Sequence, residues 1–246
     1  MAGDTSLGQG GKQFPSTMWD CVRILKDDDG PGTRDAFDRI LTRYWQPVYW
    51  CIRIGWNKTN EDAKDLTQNF FMTLLERQAL AQADPGRGKF RTFLRASLRN
   101  FLTDEHRKGN RIRHGGRVAT IPRDFQEDPP DLQAPKDASP DSVFDAEWAR
   151  SLMAAALQRL KEELAATPTQ FDVFAACDLH DAPEAPPSHE QLAERFQLPL
   201  TEIKRLLRIN RARLRDLVVD EIRNYAETES EIQEELDYLL KIWGRA

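Results

Sequence analysis

Residues 90–108 read Phe90-Arg91-Thr92-Phe93-Leu94-Arg95-Ala96-Ser97-Leu98-Arg99-Asn100-Phe101-Leu102-Thr103-Asp104-Glu105-His106-Arg107-Lys108, and two patterns are superposed in them. Phe90, Leu94, Leu98 and Phe101 recur at three- and four-residue steps, which places them on one helix face as a buried stripe. Arg91, Arg95 and Arg99 stand one turn apart on a second face, and Asn100, Thr103 and Arg107 occupy a third. Guanidinium groups at this spacing can track phosphates, and asparagine can read a base edge by paired hydrogen bonds. Phe93 lies off the apolar stripe, which makes it a candidate stacking platform for an unpaired base. The alternative is that these arginines pair with Glu and Asp of neighbouring helices and that Phe93 packs.

Helical spacing continues on both sides of this segment. Upstream, Asn60 to Arg77 reads as a helix, with Asn60 as its N-cap and Ala83-Asp84-Pro85-Gly86 as the turn that follows. Ala63, Leu66, Phe70 and Leu74 form its core face, opposite Asp62, Asp65, Asn69, Met72 and Glu76, with Gln68 beside them. That polar face is either solvated or a docking surface for a basic partner. Phe37, Ile40, Leu41, Tyr44 and Val48 predict an earlier helix from Arg34, kinked or broken at Pro47, and a short helix fits Thr17 to Leu25. Downstream, helices are expected over Val143–Ala166, Gln170–Ala176, Ser188–Phe196, Thr201 to about Tyr225, and Ser230–Trp243. No credible strand pair appears, so the fold class is all-α.

Charge divides the chain more sharply than its total suggests. The 246 residues carry a net charge of -5, but residues 86–117 hold ten Lys or Arg against Asp104 and Glu105, a local +8. The mildly acidic total therefore does not exclude nucleic acid. Residues 109–141, punctuated by Pro122, Pro129, Pro130, Pro135 and Pro140, read as a linker, and an acidic one, since residues 124–147 hold eight acids against Lys136. No apolar run approaches the length of a membrane span, and the N-terminus lacks the apolar core of a signal peptide. Cys21, Cys51 and Cys177 are odd in number and far apart, which fits a reducing cytoplasm. Neither the cysteines nor His106, His114, His180 and His189 have zinc-ligand spacing, and no phosphate loop or nucleophile elbow is present. The expectation is a protein with no metal, no cofactor and no catalytic site.

A second basic face lies downstream. Ser188-His189-Glu190-Gln191 is a capping-box start, and residues 192–204 then read as a helix, a tight turn and a new helix. In the second helix Ile203, Leu206, Leu207, Leu214 and Leu217 face inward, while Lys204, Arg208, Arg211 and Arg215 line the outside with Arg205 and Arg213 flanking. A helix-turn-helix places such a face in the major groove.

These stretches resemble a known family. Asp62-Ala63-Lys64-Asp65-Leu66-Thr67-Gln68-Asn69-Phe70-Phe71, then Gly88-Lys89-Phe90-Arg91-Thr92-Phe93-Leu94, then Arg99-Asn100 and Asp104-Glu105-His106-Arg107-Lys108, are similar to region 2 of the extracytoplasmic-function bacterial sigma factors. Leu192-Ala193 through Ile203-Lys204 and Arg211-Ala212-Arg213-Leu214-Arg215 resemble their region 4. Ile209-Asn210 stands where Arg-Ala is usual, Lys64 replaces a common acid, the linker is longer than typical, and the tail beyond Asn224 is extra. The resemblance implies an N-terminal segment (1–33), region 2 (34–110), an acidic linker (111–142), region 4 (143–225) and a C-terminal helical extension (226–246). It implies a non-enzymatic promoter-specificity subunit whose partners are core RNA polymerase and promoter DNA, with an anti-sigma factor or other regulator as a further partner.

By the same resemblance, Asp62, Asp65, Gln68, Asn69 and Phe71 would dock on the coiled coil of the largest polymerase subunit, and region 4 would sit at the flap. Arg91, Phe93, Arg95, Arg99, Asn100, Arg107 and Lys108 would meet the −10 promoter element, with Asn100 matching the base-reading asparagine. Thr201, Lys204, Arg205, Arg208 and Arg211 would meet the −35 element. The competing reading is a stand-alone helix-turn-helix regulator with a helical dimerisation or ligand domain; a nuclease using Asp104, Glu105 and His106 is disfavoured because those residues cannot converge from one helix turn. In the extension, Ile232, Leu236, Leu239, Leu240 and Trp243 form an apolar stripe, with Ser230 as the expected N-cap. It either caps the apolar end of region 4 or folds its acids over Arg208, Arg211 and Arg215.

Overall fold

The computed structural model describes residues 18–26, 32–75, 80, 83–84, 86, 88–109, 139–179, 186–226 and 228–243; residues 111–138 of the acidic linker, and the side chains of Lys108 and Trp243, lie outside the described residues, while the linker's last residues, 140–142, open a helix. Among these residues there is no strand, and the fold is all-α. Helices α1 (Met18–Lys26), α2 (Thr33–Trp50), α3 (Asn60–Leu75) and α4 (Phe90–Gly109) precede the linker. After it come α5 (Pro140–Glu163), α6 (Pro168–Asp178), α7 (His189–Phe196), α8 (Leu200–Arg223) and α9 (Glu229–Trp243).

Pro47 neither breaks nor ends α2. The helix runs through it and then widens into a π turn over Cys51–Gly55, where the Cys51 N–H is shared between the carbonyls of Pro47 and Val48. Two expected caps are displaced by a residue or two. Thr59, not Asn60, caps α3 by accepting from the Asp62 N–H at 3.1 Å, and the Asn60 carboxamide instead accepts from the Tyr49 hydroxyl at 2.8 Å. Thr228, not Ser230, starts α9 through a reciprocal pair with Glu231. The cap at α7 is as expected: Ser188 Oγ accepts from the Gln191 N–H and Gln191 Oε1 accepts from the Ser188 N–H.

One continuous core joins the two halves of the chain. Ile40, Tyr44 and Val48 of α2, Phe70 and Phe71 of α3, and Phe90, Leu94 and Leu98 of α4 share it with Phe144, Trp148 and Leu152 of α5. Leu217 and Ile222 of α8 and Ile232 and Leu239 of α9 complete it. Only a small second cluster, Val173, Leu192, Ile203, Leu206 and Leu207, belongs to α6, α7 and the start of α8 alone. Helix α5 packs along α2. Burying a Phe, Leu or Ile side chain contributes about 1.5–3 kcal/mol, so this shared core is the largest stabilising contact between the halves.

The seam depends on Gly55. A Cβ built there would lie 2.6 Å from Pro140 Cα, the first residue of α5. Beside it, the Cys51 thiol donates to the Pro140 carbonyl at 3.3 Å, and burial, with Asp141 and Asp145 adding to it, pushes that thiol's pKa up to about 12. Alanine normally favours a helix over glycine, but here backbone would have to move. We expect Gly55→Ala to destabilise the chain by about 1–3 kcal/mol, read as a lower urea midpoint.

Candidate nucleic-acid interface

The first three arginines of α4 are engaged within the molecule. Arg91 is buried between two aromatic faces, its guanidinium carbon 4.1 Å from the Trp148 ring centroid and 4.2 Å from that of Tyr238. Its two terminal nitrogens donate to Asp145 Oδ1 and Glu235 Oε1, each at 3.1 Å. Burial works against the Arg91 charge, but Glu235 and then Asp145 outweigh it and hold its pKa above the ordinary arginine value. Asp145 also accepts from Arg95 and from the Tyr238 hydroxyl, both at 2.6 Å. Glu235 accepts from the Tyr225 hydroxyl at 3.3 Å and pairs with Lys89 at 2.8 Å. Burial first, and Glu235 next, push the Tyr225 pKa well up, so its hydroxyl keeps the proton it donates. Arg99 pairs with Asp141 at the rim.

This arrangement corrects two expectations on α4. In this arrangement Arg91 is enclosed between α5 and α9 rather than open on the surface, because Asp145, Glu235 and two rings close over it. Phe93 is half-buried against Trp19 of α1 and Phe90, with centroids 6.3 and 6.0 Å away, so it presents no open platform. Asn100 and Arg107 remain exposed, and among the described residues Arg107 pairs only with Asp104, at 3.7 Å.

The α3 face divides in a similar way. Asp62, Asp65 and Asn69 are exposed along one side, and Gln68 is half-buried. Phe71 departs from expectation: it is fully buried, stacked on Trp45 at 6.1 Å and edge-on to Phe70 at 5.3 Å. Its side chain is enclosed beneath the polar face rather than presented on it.

In the α7–α8 pair, Gln197 adopts the left-handed conformation that turns the chain, and Thr201, Lys204, Arg205, Arg208 and Arg211 are all exposed along α8. Arg205 forks onto Glu202 within its own helix, at 2.8 and 2.6 Å, while Arg211 forks onto Asp178 of α6 at the same distances. Lys204 and Arg208 form no ion pair with a described residue. The pair is held to α6 by Asn210, which is buried and exchanges two hydrogen bonds with Gln170 at 2.7 and 3.0 Å.

No described α9 acid pairs with Arg208, Arg211 or Arg215; Glu229 meets only the end of α8, at Arg223, 3.4 Å away. Glu234 and Glu235 meet Lys89 and Arg91, while Ile232 and Leu239 enter the core. Sequence reading missed Asp145 and Glu235 as partners of α4, although each is an acid set inside an apolar stripe: Val143, Phe144 and Trp148 around one, Ile232 and Leu239 around the other.

Residues 42–112, from within α2 to just past α4, match the family model of sigma-70 region 2. Over these residues the chain carries a sigma-70 region 2. A sigma factor of that family acts in transcription initiation, and the segment matched contains both the exposed acidic row of α3 and the basic helix α4. The α7–α8 pair lies outside the matched residues. No curated protein matches the chain. Among the described residues no helix is long and apolar enough to cross a membrane, and no cluster of side chains could hold a metal ion.

Proposed function

We propose that this chain is a sigma factor of the extracytoplasmic-function type, which binds core RNA polymerase through α3 and directs it to promoters through α4 and α8. The observation that carries this reading is the match of residues 42–112 to region 2, with Asp62, Asp65 and Asn69 exposed on one helix and Asn100 and Arg107 exposed on the next. The acidic row suits a basic surface of the polymerase, and Asn100 suits a base edge. The α7–α8 pair, with Thr201, Lys204, Arg205 and Arg208 outward, has the form of a major-groove reader and would take the upstream element. Under this reading the chain has no catalysis of its own.

The test is DNA binding with and without polymerase. A labelled promoter fragment should be retained weakly by the chain alone and strongly once core polymerase is added; equal retention without polymerase would instead favour a stand-alone regulator. Two substitutions separate reading from anchoring. Asn100→Ala should relax preference at one promoter position by about 1–3 kcal/mol, whereas Arg107→Ala should weaken all templates alike and lower the salt dependence. If Asn100→Ala lowers every template equally, Asn100 does not read a base. Joint replacement of Lys204, Arg205 and Arg208 by alanine should erase the upstream footprint and leave polymerase binding intact; a retained footprint would remove α8 from the role.

A further inference from the structure

We propose that α9 is an intramolecular latch: its acids, with those at the start of α5, occupy the cation row of α4 and hold the chain closed until nucleic acid displaces them. The inference rests on the reading of α4 as a nucleic-acid helix. Lys89, just before α4, and Arg91, Arg95 and Arg99 along it are successive cations, and all four are taken by carboxylates: Glu234 and Glu235 on Lys89, Glu235 and Asp145 on Arg91, Asp145 on Arg95, and Asp141 on Arg99. A carboxylate and a phosphate offer a guanidinium the same geometry, so the two anions compete for one set of donors. Asp141 and Asp145 arrive from beyond the linker, and Glu234 and Glu235 from the end of the chain, so the row is covered by two independent elements.

The composition of the joint suits a contact that opens. Arg91 Nε, Trp148 Nε1 and Tyr44 Oη are buried there without a hydrogen-bond partner. Well-packed apolar side chains would hold the same surfaces together at least as firmly as buried charges do. A charged joint with three unmet polar groups gives up some of that stability and in return closes in one register only. Its rim is accessible, because Glu234, 3.2 Å from Lys89, has 61% of its side chain exposed. Only residues 224–228 separate α8 from α9, so a displaced α9 stays at high effective concentration and can reclose.

The closed form lowers the apparent affinity for DNA by the fraction of chains that are open. Glu235→Gln keeps the side-chain shape and removes one charge from the latch. It should tighten binding of a fluorescein-labelled mixed-sequence duplex at low salt by about tenfold, with circular dichroism verifying the fold. The unmodified chain gives a second measurement: a carbodiimide joins an amine to a carboxylate in direct contact, so it should yield a Lys89–Glu234 cross-linked peptide. Saturating duplex should reduce that yield several-fold. If Glu235→Gln unfolds the chain, the cross-link decides alone. A folded variant that binds no tighter, or a cross-link indifferent to saturating DNA, overturns the latch. Neither measurement contains polymerase, so a failed transcription assay leaves them standing, and a failed latch leaves the sigma reading standing.

Discussion

Asp145→Ala should cost the folded chain about 3–5 kcal/mol, because it leaves the Arg91 guanidinium buried with half its charge compensation gone. Asp145 is itself buried and accepts from Arg91, Arg95 and Tyr238 at once, so its loss strands three donors. Water cannot readily replace it, since Arg91 lies between the rings of Trp148 and Tyr238. Asp141→Ala one turn earlier should cost far less, because both partners of that ion pair face solvent. Urea unfolding of the two variants side by side checks the difference. A loss at Asp145 no larger than at Asp141 would show that the joint between α4, α5 and α9 is not closed in solution. The two partners of Arg91 are not equivalent here: Glu235→Gln keeps a hydrogen-bonding group in place, whereas Asp145→Ala removes the group altogether.

The second large effect concerns the polymerase. Asp62→Arg with Asp65→Arg should remove several kcal/mol of affinity for core polymerase, through lost attraction and new like-charge repulsion. Both side chains leave α3 on its exposed side, away from Ala63, Phe70 and Phe71, so the fold should be unaffected. Co-elution with core polymerase on gel filtration reads the result. Undiminished co-elution of the double variant would take the docking role away from this face.

Local rules reached most of the helices and failed where distant residues decide. The stripe Phe90, Leu94, Leu98 was legible because a helix repeats its contacts every three or four residues, and the capping box at Ser188 because both partners lie within four residues. The resemblance names Phe71 among the docking residues of α3, but that helix is enclosed on two sides, by Trp45 and by Phe101 against Phe70, so the buried arc is wider than one stripe and includes Phe71. For Arg91 the spacing leaves phosphate tracking and pairing with acids of other helices equally open, because nothing within its own helix opposes it. Its partners lie 54 and 144 residues away, and no periodicity in α4 encodes them. Phe93 was placed off the core for the same reason, since Trp19 reaches it from α1. Acids inside otherwise apolar stripes, Asp145 and Glu235, were the signal available in the sequence. Buried carboxylates require cations, and α4 carries a row of them.

The central claim is that this chain gives core polymerase a promoter specificity. Run-off transcription with purified core polymerase on a library of promoter fragments tests it most directly. The account predicts transcripts from a small set of templates sharing an upstream and a −10 motif, dependent on the chain and lost with Asp62→Arg and Asp65→Arg. Transcription from no template, with the chain nonetheless folded and binding DNA unaided, would contradict it.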